Sequence, residues 1–279
     1  MTASSPSTEP PAALPDPIVL PDGVTDLAVR LADAAGSVIR RYYRTPFAVD
    51  DKPDSSPVTI ADREAEAAIR AILAAERPGD GIVGEEHGTT NGDADWLWVI
   101  DPIDGTKSFI TGRPTFGTLV ALLYRGRPVL GVIDQPITGD RWVGAAGQPT
   151  TLNGKPARVR ACPSLGRATL NTTSPDLFGP DDYAAFRRVA TAVKLPMYGG
   201  DCYAYGLLAA GFVDLVIEAG LKLYDYAALV PVVEGAGGVM TDWSGAPLGR
   251  GSDGRVVAAG DAAAHAEALA RLGEAPLGR

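Results

Sequence analysis

The sequence contains little of what many common protein functions require. Its 279 residues include two cysteines and two histidines, and its 25 Lys and Arg residues are outnumbered by 34 Asp and Glu. Cys162 and Cys202 have no C-x-x-C spacing and are too few for a disulfide framework in a chain of this length. The formal net charge of -9 repels nucleic acid and anionic membranes at long range. We therefore expect a cytoplasmic protein, in a reducing compartment, with no nucleic-acid and no membrane partner.

From the sequence we also expect no segment that directs the protein to a membrane or an export pathway. No apolar run approaches the ~20 residues needed to cross a bilayer, and no basic residue precedes Arg30, as the start of a secretory signal would require. With 46% hydrophobic residues, the chain can bury the core of one or two domains. Six prolines within residues 1–21 predict a flexible tail. We expect two α/β halves to follow it, residues 22–150 and 151–279.

Hydrophobic periodicity predicts helices that alternate with short buried strands. Apolar residues at helical spacing indicate a helix from Thr25 to about Arg41, and the capping-box sequence that begins at Thr59 indicates a second helix, ended by Pro78 and Gly79. Short apolar runs between turn residues indicate strands. The alternation of the two types favours a layered α/β fold. The predicted strands are 82–83, 97–100, 118–123, 129–133, 168–171 and 213–217, and the later predicted helices are 181–193, 203–210 and 226–236.

The most informative segment is the run from Trp98 to Thr106, where an apolar strand leads into two aspartates three positions apart. Pro102 fixes its own φ angle, and Gly105 permits the backbone to approach a ligand closely. Such a strand end directs Asp101, Asp104 and the carbonyl between them at one point, and Mg²⁺ prefers oxygen ligands in a compact octahedral shell. The alternative is a simple turn, because Asp-Gly is among the commonest turn dipeptides.

Further acidic residues follow two other predicted strands. Glu85 and Glu86 come after the strand at 82–83, and Asp225 comes after the strand at 213–217 and opens a helix. Taken alone, paired glutamates are usually solvated, and Asp225 would serve well as a helix N-cap. Acidic residues at three strand ends, however, converge at one edge of an α/β sheet, where ligands bind. The sequence therefore predicts a metal site lined with carboxylates.

Together these segments resemble the signatures of a known family. Glu85 with Glu86, the run 101–106, and Asp225 with the segment 234–238 look like the three motifs of the inositol monophosphatase-like metal-dependent phosphatases, and the resemblance covers the chain from about residue 25 onward. It implies an αβαβα sandwich, usually a homodimer, that hydrolyses a small phosphomonoester with two or three Mg²⁺ ions. The metal ligands that it implies are Glu85, Asp101, the carbonyl of Ile103, Asp104 and Asp225.

The resemblance also implies catalytic roles beside the metal. Asp62 and Thr106 would position and deprotonate the attacking water, together with Glu85. Asp62 also fits the N3 position of a capping box on Thr59, and the two roles are compatible. Backbone N–H groups of Gly105 and Thr106 would hold the phosphate, as helix N-termini do. Because metal ions both neutralise the ester and activate water, no protein nucleophile is required.

Substrate choice is predicted to lie in the second half of the chain, in the glycine-rich segment 199–205 that contains Asp201. Inositol-type members of the family tend to carry small neutral residues where Asp201 stands. With the segments 104–109, 117–119, 134–136 and 220–222, the chain looks most like the histidinol-phosphate phosphatase branch. Histidinol phosphate carries an ammonium group and an imidazole, with which Asp201 and Glu218 would pair. The alternatives are that Asp201 caps the following helix and that Glu218 is a surface acid.

Five other residues with reactive or aromatic side chains are expected to have no role in the site. His87 and His265 are poorly placed for a phosphohistidine mechanism, and both are expected to be solvated. Tyr203 and Tyr205 open an apolar helix, where aromatic residues usually belong to the core. Lys52 lies in the loop before the second helix, and we expect a solvated lysine there rather than part of a flap over the metals.

Three other functions stay open at this point. One is a broad-specificity inositol monophosphatase. A second is a nucleotide or sugar bisphosphate phosphatase, for which Lys107, Arg113 and Lys222 offer basic residues. The third is a non-catalytic regulator on the same scaffold, which is disfavoured because none of the four acidic metal ligands is missing.

Overall fold

Two amphipathic helices open the described part of the chain, which in this computed structural model comprises residues 18–51 and 57–274. They are α1 (Val24–Tyr42) and α2 (Ile60–Glu76), as predicted. The capping box at the start of α2 is confirmed: the Thr59 side chain accepts a hydrogen bond from the Ala61 N–H, and the Asp62 carboxylate accepts one from the Thr59 N–H. Between the helices, β1 (Val49–Asp51) pairs antiparallel with β2 (Pro57–Thr59). Lys52 and the predicted tail residues 1–17 lie outside the described residues.

The next strands form one eight-stranded sheet. The strands are β3 (Gly81–Gly84), β4 (Gly88–Thr90), β5 (Trp96–Asp104), β6 (Gly117–Tyr124), β7 (Arg127–Gln135), β8 (Asp140–Ala145), β9 (Thr151–Leu152) and β10 (Lys155–Pro156). Their order in the sheet is β10-β9-β8-β7-β6-β5-β3-β4, in which β3 and β5 run parallel and the other neighbours run antiparallel. The short helix α3 (Thr106–Ile110) lies between β5 and β6 in the chain.

A second sheet of five strands follows. The strands are β11 (Thr169–Thr172), β12 (Leu195–Tyr198), β13 (Leu215–Glu218), β14 (Val239–Thr241) and β15 (Val256–Ala259). Their order in the sheet is β12-β11-β13-β15-β14. The pairs β11–β12 and β11–β13 are parallel, and β13–β15 and β14–β15 are antiparallel. The helices of this half are α4 (Pro180–Ala190), α5 (Tyr203–Ala209), α6 (Leu223–Tyr226), α7 (Leu229–Gly235) and α8 (Ala262–Leu272).

Alternation along the strands builds the layers. On β5, Trp98 and Ile100 pack against α1 and α2, whereas Leu97 and Val99 face the opposite way, toward α5 and α7. The second sheet does the same, because one of its faces packs on α5 and α7 and the other on α4 and α8. The result is the αβαβα sandwich that the family resemblance implied.

Two predictions for the second half need correction. The helix expected at 226–236 is mostly α7, but α7 begins at Leu229, after a break at Ala227 and Ala228 that separates it from α6. His265, expected to be solvated, is 7% exposed and lies on α8 with its Nε2 2.9 Å from the Thr241 Oγ1. Its burial follows from its position on the face of α8 that packs against the second sheet. His87 is exposed, as predicted.

The segment before α1 belongs partly to the core. Ile18 and Leu20, within the predicted tail, are partly buried and pack against the hydrophobic cluster that contains α1 and α2.

The last strand of the first sheet along the chain is β10, which lies a few residues past the predicted boundary between the two halves. In the described residues, no helix combines the length and the apolar character needed to cross a bilayer.

Candidate active site

Parallel pairing of β3 with β5 places two acidic residues at one edge of the first sheet. Gly84 is the register partner of Ile100, so the residues that follow, Glu85 just past the end of β3 and Asp101 within β5, lie side by side. The Glu85 N–H donates to the Ile100 carbonyl over 3.2 Å, which extends the pairing by one bond. The carboxyl ends of neighbouring parallel strands are where α/β folds bind ligands.

The end of β5 is irregular, and the irregularity groups its oxygen atoms. The register with β6 shifts between Asp101 and Asp104, as at a bulge, which redirects side chains. The Asp101 Oδ1 accepts a hydrogen bond from the Ile103 N–H at 3.0 Å, and the Ile103 carbonyl accepts one from the Thr106 Oγ1 at 3.2 Å. The segment is therefore more than the simple Asp-Gly turn that was the alternative.

Asp225 completes a cluster of three carboxylates. It does not stand directly at a strand end, as the sequence suggested, but in the first turn of α6, where its Oδ2 accepts the Lys222 N–H at 2.6 Å. Helix α6 packs against β5. One oxygen each from Asp101, Asp104 and Asp225 lies within 4.8 Å of the others. The structure thus brings together three of the four predicted acidic ligands, with Glu85 beside Asp101.

The cluster is electrostatically unfavourable without a cation. Burial, followed by the charges of Glu85, Asp104 and Asp225, holds the pKa of Asp101 well above its usual range. Burial and the neighbouring Asp201 and Asp225 do the same to the pKa of Asp104.

The same forces act on the third member of the cluster. Burial and the charges of Glu85 and Glu218 raise the pKa of Asp225 to about 7, against the opposing hydrogen bond from the Lys222 N–H. Like charges in a low-dielectric site cannot all ionise unless an opposite charge joins them. Oxygen donors at this spacing fit a hard divalent cation.

Asp62 lies near Glu85 and has one oxygen without a hydrogen-bond partner among the described residues. Its Oδ2 accepts hydrogen bonds from the N–H and Oγ1 of Thr59, at 2.9 and 2.6 Å, while its buried Oδ1 has no partner among the described residues. Burial raises its pKa to about 6, with the nearby Glu85 acting in the same direction. An unpaired buried oxygen is costly, so its retention indicates a partner absent from the chain itself, such as a water.

Asp201 lies directly against Gly105. A Cβ on Gly105, whose φ is +84°, would come within 2.6 Å of the Asp201 carboxyl carbon, so the contact requires glycine. The Asp201 Oδ2 accepts hydrogen bonds from Ser108 Oγ at 2.6 Å and Thr115 Oγ1 at 3.0 Å. The Asp201 side chain makes no capping bond to α5. The helix-cap alternative was therefore wrong, and the carboxylate faces the predicted phosphate loop.

Glu218 is a buried acid rather than a surface acid. Its side chain accepts hydrogen bonds from the Thr173 N–H at 2.9 Å and the Tyr205 hydroxyl at 3.0 Å, one on each oxygen. Burial raises its pKa despite these donors. Tyr205 is 1% exposed, as predicted for a core residue, and Tyr203 contacts Trp142 and donates to Asp140. Both Glu218 oxygens thus already accept a hydrogen bond from the protein, so the predicted direct pairing of Glu218 with a substrate cation would compete with these bonds.

Three residues around the site were missed by the sequence analysis. Ser108 and Thr115 contact Asp201 across more than 80 positions of sequence, and no local pattern points to that contact. Glu66 is different, because it falls on the apolar face of α2, one turn after Asp62, where a charged residue is out of place. That misfit was a usable signal.

The chain is similar to known proteins over nearly its whole length. The profile described as "Inositol monophosphatase family" matches residues 20–276. The bifunctional phosphatase IMPL2, chloroplastic, of Arabidopsis thaliana is 52% identical over 275 residues, which cover 95% of this chain and 79% of that protein. A histidinol-phosphatase of Mycobacterium tuberculosis is 36% identical over 253 residues, 88% of this chain and 96% of that protein. A solved inositol monophosphatase from Zymomonas mobilis superposes with a TM-score of 0.84 at 52% identity, covering 90% of this chain and 98% of that chain.

Proposed function

Because the chain belongs to the inositol monophosphatase family and is a phosphatase of that family, we propose that it is a Mg²⁺-dependent phosphomonoesterase that converts L-histidinol phosphate and water to L-histidinol and phosphate. The observation that carries the choice of substrate is the Asp201 carboxylate, held against Gly105 at the loop proposed to bind phosphate. Relatives named histidinol-phosphatase, at 35–37% identity, support the same choice.

The proposed metal ligands are Glu85, Asp101, Asp104, Asp225 and the Ile103 carbonyl, which together would hold two or three Mg²⁺ ions. The raised pKa values of Asp101, Asp104 and Asp225 support this assignment, since each arises from burial beside other carboxylates. When bound, the ions supply positive charge to the phosphoryl group and make water more acidic.

Asp62 and Thr106 are proposed to position the attacking water, together with Glu85. The Asp62 Oδ1 has no partner among the described residues, and with a pKa of about 6 the carboxylate is ionised near neutral pH and able to accept a proton. Thr59 holds the other oxygen and so fixes the orientation of the side chain. The backbone N–H groups of Gly105 and Thr106 would bind the phosphate oxygens.

Asp201 is proposed to bind the cationic end of the substrate through Oδ1, the oxygen that Ser108 and Thr115 leave available. The Asp201 carboxylate is held by the hydroxyl groups of Ser108 and Thr115, so it is preorganised and needs little side-chain ordering to bind an ammonium group.

Glu218 is proposed to act on the substrate at longer range, through its charge. That charge lies close enough to raise the pKa of Asp225, and the Glu218 side chain accepts the hydrogen bond that fixes Tyr205 on α5.

The test is to compare kcat/KM for histidinol phosphate with kcat/KM for inositol 1-phosphate. We expect histidinol phosphate to be preferred, and Asp201→Asn to reduce that preference at least about tenfold, equivalent to about 1.4 kcal/mol of transition-state binding. Asp140→Asn is the matched control, because Asp140 is likewise an acid that accepts hydrogen bonds from two hydroxyl groups, those of Thr138 and Tyr203, and it is not one of the proposed site residues. A tenfold preference of the wild-type protein for the inositol ester would overturn the assignment.

The alternative substrate is inositol 1-phosphate, hydrolysed by a broad-specificity inositol monophosphatase. This alternative is supported by the solved structure from Zymomonas mobilis, which is named an inositol monophosphatase and whose sequence is 52% identical to this chain. The same assay distinguishes the two, since under this alternative Asp201→Asn leaves the turnover of the inositol ester unchanged or faster.

We also propose that the protein is a homodimer through the edge strand β12. Leu195, Met197 and Tyr198 on this strand are 48%, 45% and 44% exposed, and the outer edge of β12 has no partner strand in the described sheet. Exposed apolar residues on an open strand edge are a liability unless another surface covers them. Sedimentation should show a dimer, and Met197→Asp should shift it to monomer; a monomeric wild-type protein contradicts the proposal.

A cytoplasmic location is proposed on the state of the cysteines. Cys162 and Cys202 are both free and buried, as is usual for proteins kept in a reducing compartment. Fractionation of cells that produce the protein from its own gene would test this location, and recovery from an oxidising compartment would exclude it.

A further inference from the structure

A buried carboxylate on α2 lies beneath the loop that carries Glu85. This is Glu66, whose side chain is fully buried and forms an ion pair with Arg70, one turn further along the helix, at 2.6 Å. Burying a charged group costs several kcal/mol unless it is paired and hydrogen-bonded. The hydrogen-bond and ion-pair partners of Glu66 therefore stabilise its buried charge, and they also identify the part of the chain that Glu66 fixes in place.

The loop between β3 and β4 is fixed by this carboxylate. The Glu66 Oε2 accepts the Glu86 N–H at 2.7 Å, and its Oε1 accepts the His87 N–H at 3.2 Å. A Cβ on Gly84 would overlap the Glu66 carboxylate, so glycine is required where the loop begins. Hydrogen bonds to an ionised acceptor are stronger than bonds between neutral groups.

Arg70 extends the same arrangement to the far end of the loop. Its Nη2 donates to the Gly88 carbonyl, and its Nη1 lies 3.3 Å from the Thr90 Oγ1. One guanidinium group thus neutralises Glu66 and also binds the start of β4. Its planar donors suit this double contact, which a lysine could not make.

We propose that Glu66 is a positioning residue that sets the direction of the Glu85 side chain toward the metal site. The Glu85 N–H is bound to the Ile100 carbonyl, and the next two N–H groups are bound to Glu66, so the backbone on both sides of Glu85 is fixed. This inference rests on the proposed function, because it takes Glu85 to be a metal ligand. Partners that orient metal ligands commonly contribute 10-fold to 100-fold to metal affinity.

The test measures binding of Mn²⁺ alone, as a spectroscopic substitute for Mg²⁺, by electron paramagnetic resonance or calorimetry without substrate. Glu66→Gln keeps the size of the side chain but loses the charge, and we expect its Kd for Mn²⁺ to rise about 10-fold to 100-fold. The concentration of Mg²⁺ needed for half-maximal activity should rise in parallel, while KM for the phosphate ester at saturating Mg²⁺ stays close to the wild-type value.

Asp80→Asn is the matched control for a general loss of stability. Asp80 is another nearly buried acid beside β3, and it binds Arg77 at 2.7 Å and the Trp98 indole at 2.9 Å. It should lower Tm and leave Mn²⁺ affinity unchanged. If Glu66→Gln does not fold, Arg70→Lys provides the second test, and it should weaken Mn²⁺ binding about tenfold.

Glu85→Gln separates failure of this inference from failure of the proposed function. Wild-type Mn²⁺ affinity in Glu85→Gln would remove Glu85 from the metal site and overturn both. Weakened binding in Glu85→Gln together with wild-type binding in Glu66→Gln would overturn the positioning role alone. Equal weakening in Glu66→Gln and Asp80→Asn would likewise show that Glu66 acts only through stability.

Discussion

Buried acids occur in two kinds of surroundings in this molecule, and the comparison distinguishes acids that stabilise the fold from acids that can bind a metal ion. In the second half, Asp214 is 2% exposed at its side chain and forms a two-point ion pair with Arg160, with both nitrogen–oxygen distances at 2.6 Å. Burial alone would raise its pKa, but Arg160 and the Thr169 N–H outweigh burial and lower it.

At the edge of the first sheet the opposite holds. Burial raises the pKa values of Asp101, Asp104 and Asp225, and the nearest charges add to the effect because they are also carboxylates. Where an acid is structural, the chain supplies its own cation. Where the acids converge without one, the arrangement fits a divalent cation from outside. Four experiments test this distinction, and they are ordered here by the size of the expected effect.

The largest effect is expected on turnover. Asp104→Asn should reduce kcat with the phosphate ester more than about 100-fold, since loss of a metal ligand should exceed the cost of losing a group that merely orients one. Circular dichroism should show an intact fold. Asp214→Asn is the matched control and should keep kcat per folded molecule near the wild-type value. Unchanged turnover in Asp104→Asn would remove the cluster from the chemistry.

The second effect is on the pH dependence of the metal-free protein. The folded pKa of Asp225 is raised from 3.8 to about 7, so its contribution to stability is present below pH 3.8 and is lost as pH rises through 7. With EDTA, the free energy of unfolding should fall by about 3 kcal/mol from pH 5 to pH 8, at about 1.4 kcal/mol per pKa unit. Mg²⁺ should reverse the loss, and Asp225→Asn should make the pH dependence less steep without abolishing it, because Asp101 and Asp104 also have raised pKa values. A level curve for the wild-type protein would mean that burial and the neighbouring carboxylates do not raise the pKa of Asp225 in the folded protein.

The third effect is on stability at the paired site. Asp214→Asn removes an acceptor of charge-assisted hydrogen bonds and should cost about 2 kcal/mol, a figure kept low because Arg160 is half exposed and screened by solvent. Urea denaturation with EDTA present measures it. Asp104→Asn under the same conditions should be as stable as the wild-type protein or more so, because it relieves repulsion. Equal destabilisation by the two substitutions would erase the contrast.

Local signals in the sequence explain how much of the fold was predictable. The helix at Thr59 was placed correctly because its capping box involves residues three positions apart. By contrast, β14, β15 and α8 went unpredicted, although Ala264, Ala268 and Leu272 form an apolar stripe at helical spacing. The same stripe places His265 on the buried face of α8, so recognising this helix would also have corrected the expectation of a solvated histidine.

Predicting the site depended on how far apart its partners are in sequence. Asp101 and Asp104 lie in one segment, so their proximity could be foreseen, and the parallel pairing that brings Glu85 beside them was a reasonable expectation from the strand pattern. The contact of Asp201 with Gly105 and Ser108 joins the two halves of the chain and depends on how the two sheets pack. For Glu218, its position near a strand end was foreseen, but its hydrogen bond from Tyr205 was not.

The smallest effect concerns His265, a buried base. Burial disfavours its charged form as it does that of the buried acids, but for a base this lowers the pKa. The Thr241 Oγ1 donates to the Asp242 carbonyl, so its hydrogen bond with His265 requires the Nε2 of the imidazole to be the donor. Burial lowers the pKa of His265 below 6.5, and the protein therefore loses stability as pH falls from 6.5 through the folded pKa. His265→Gln should cost about 1 kcal/mol at pH 8, the value of one buried hydrogen bond. Since the variant has no imidazole to protonate, the difference in unfolding free energy between the two proteins should shrink at pH 5, and a difference that grows there would mean that the charged imidazole is stabilised by a carboxylate.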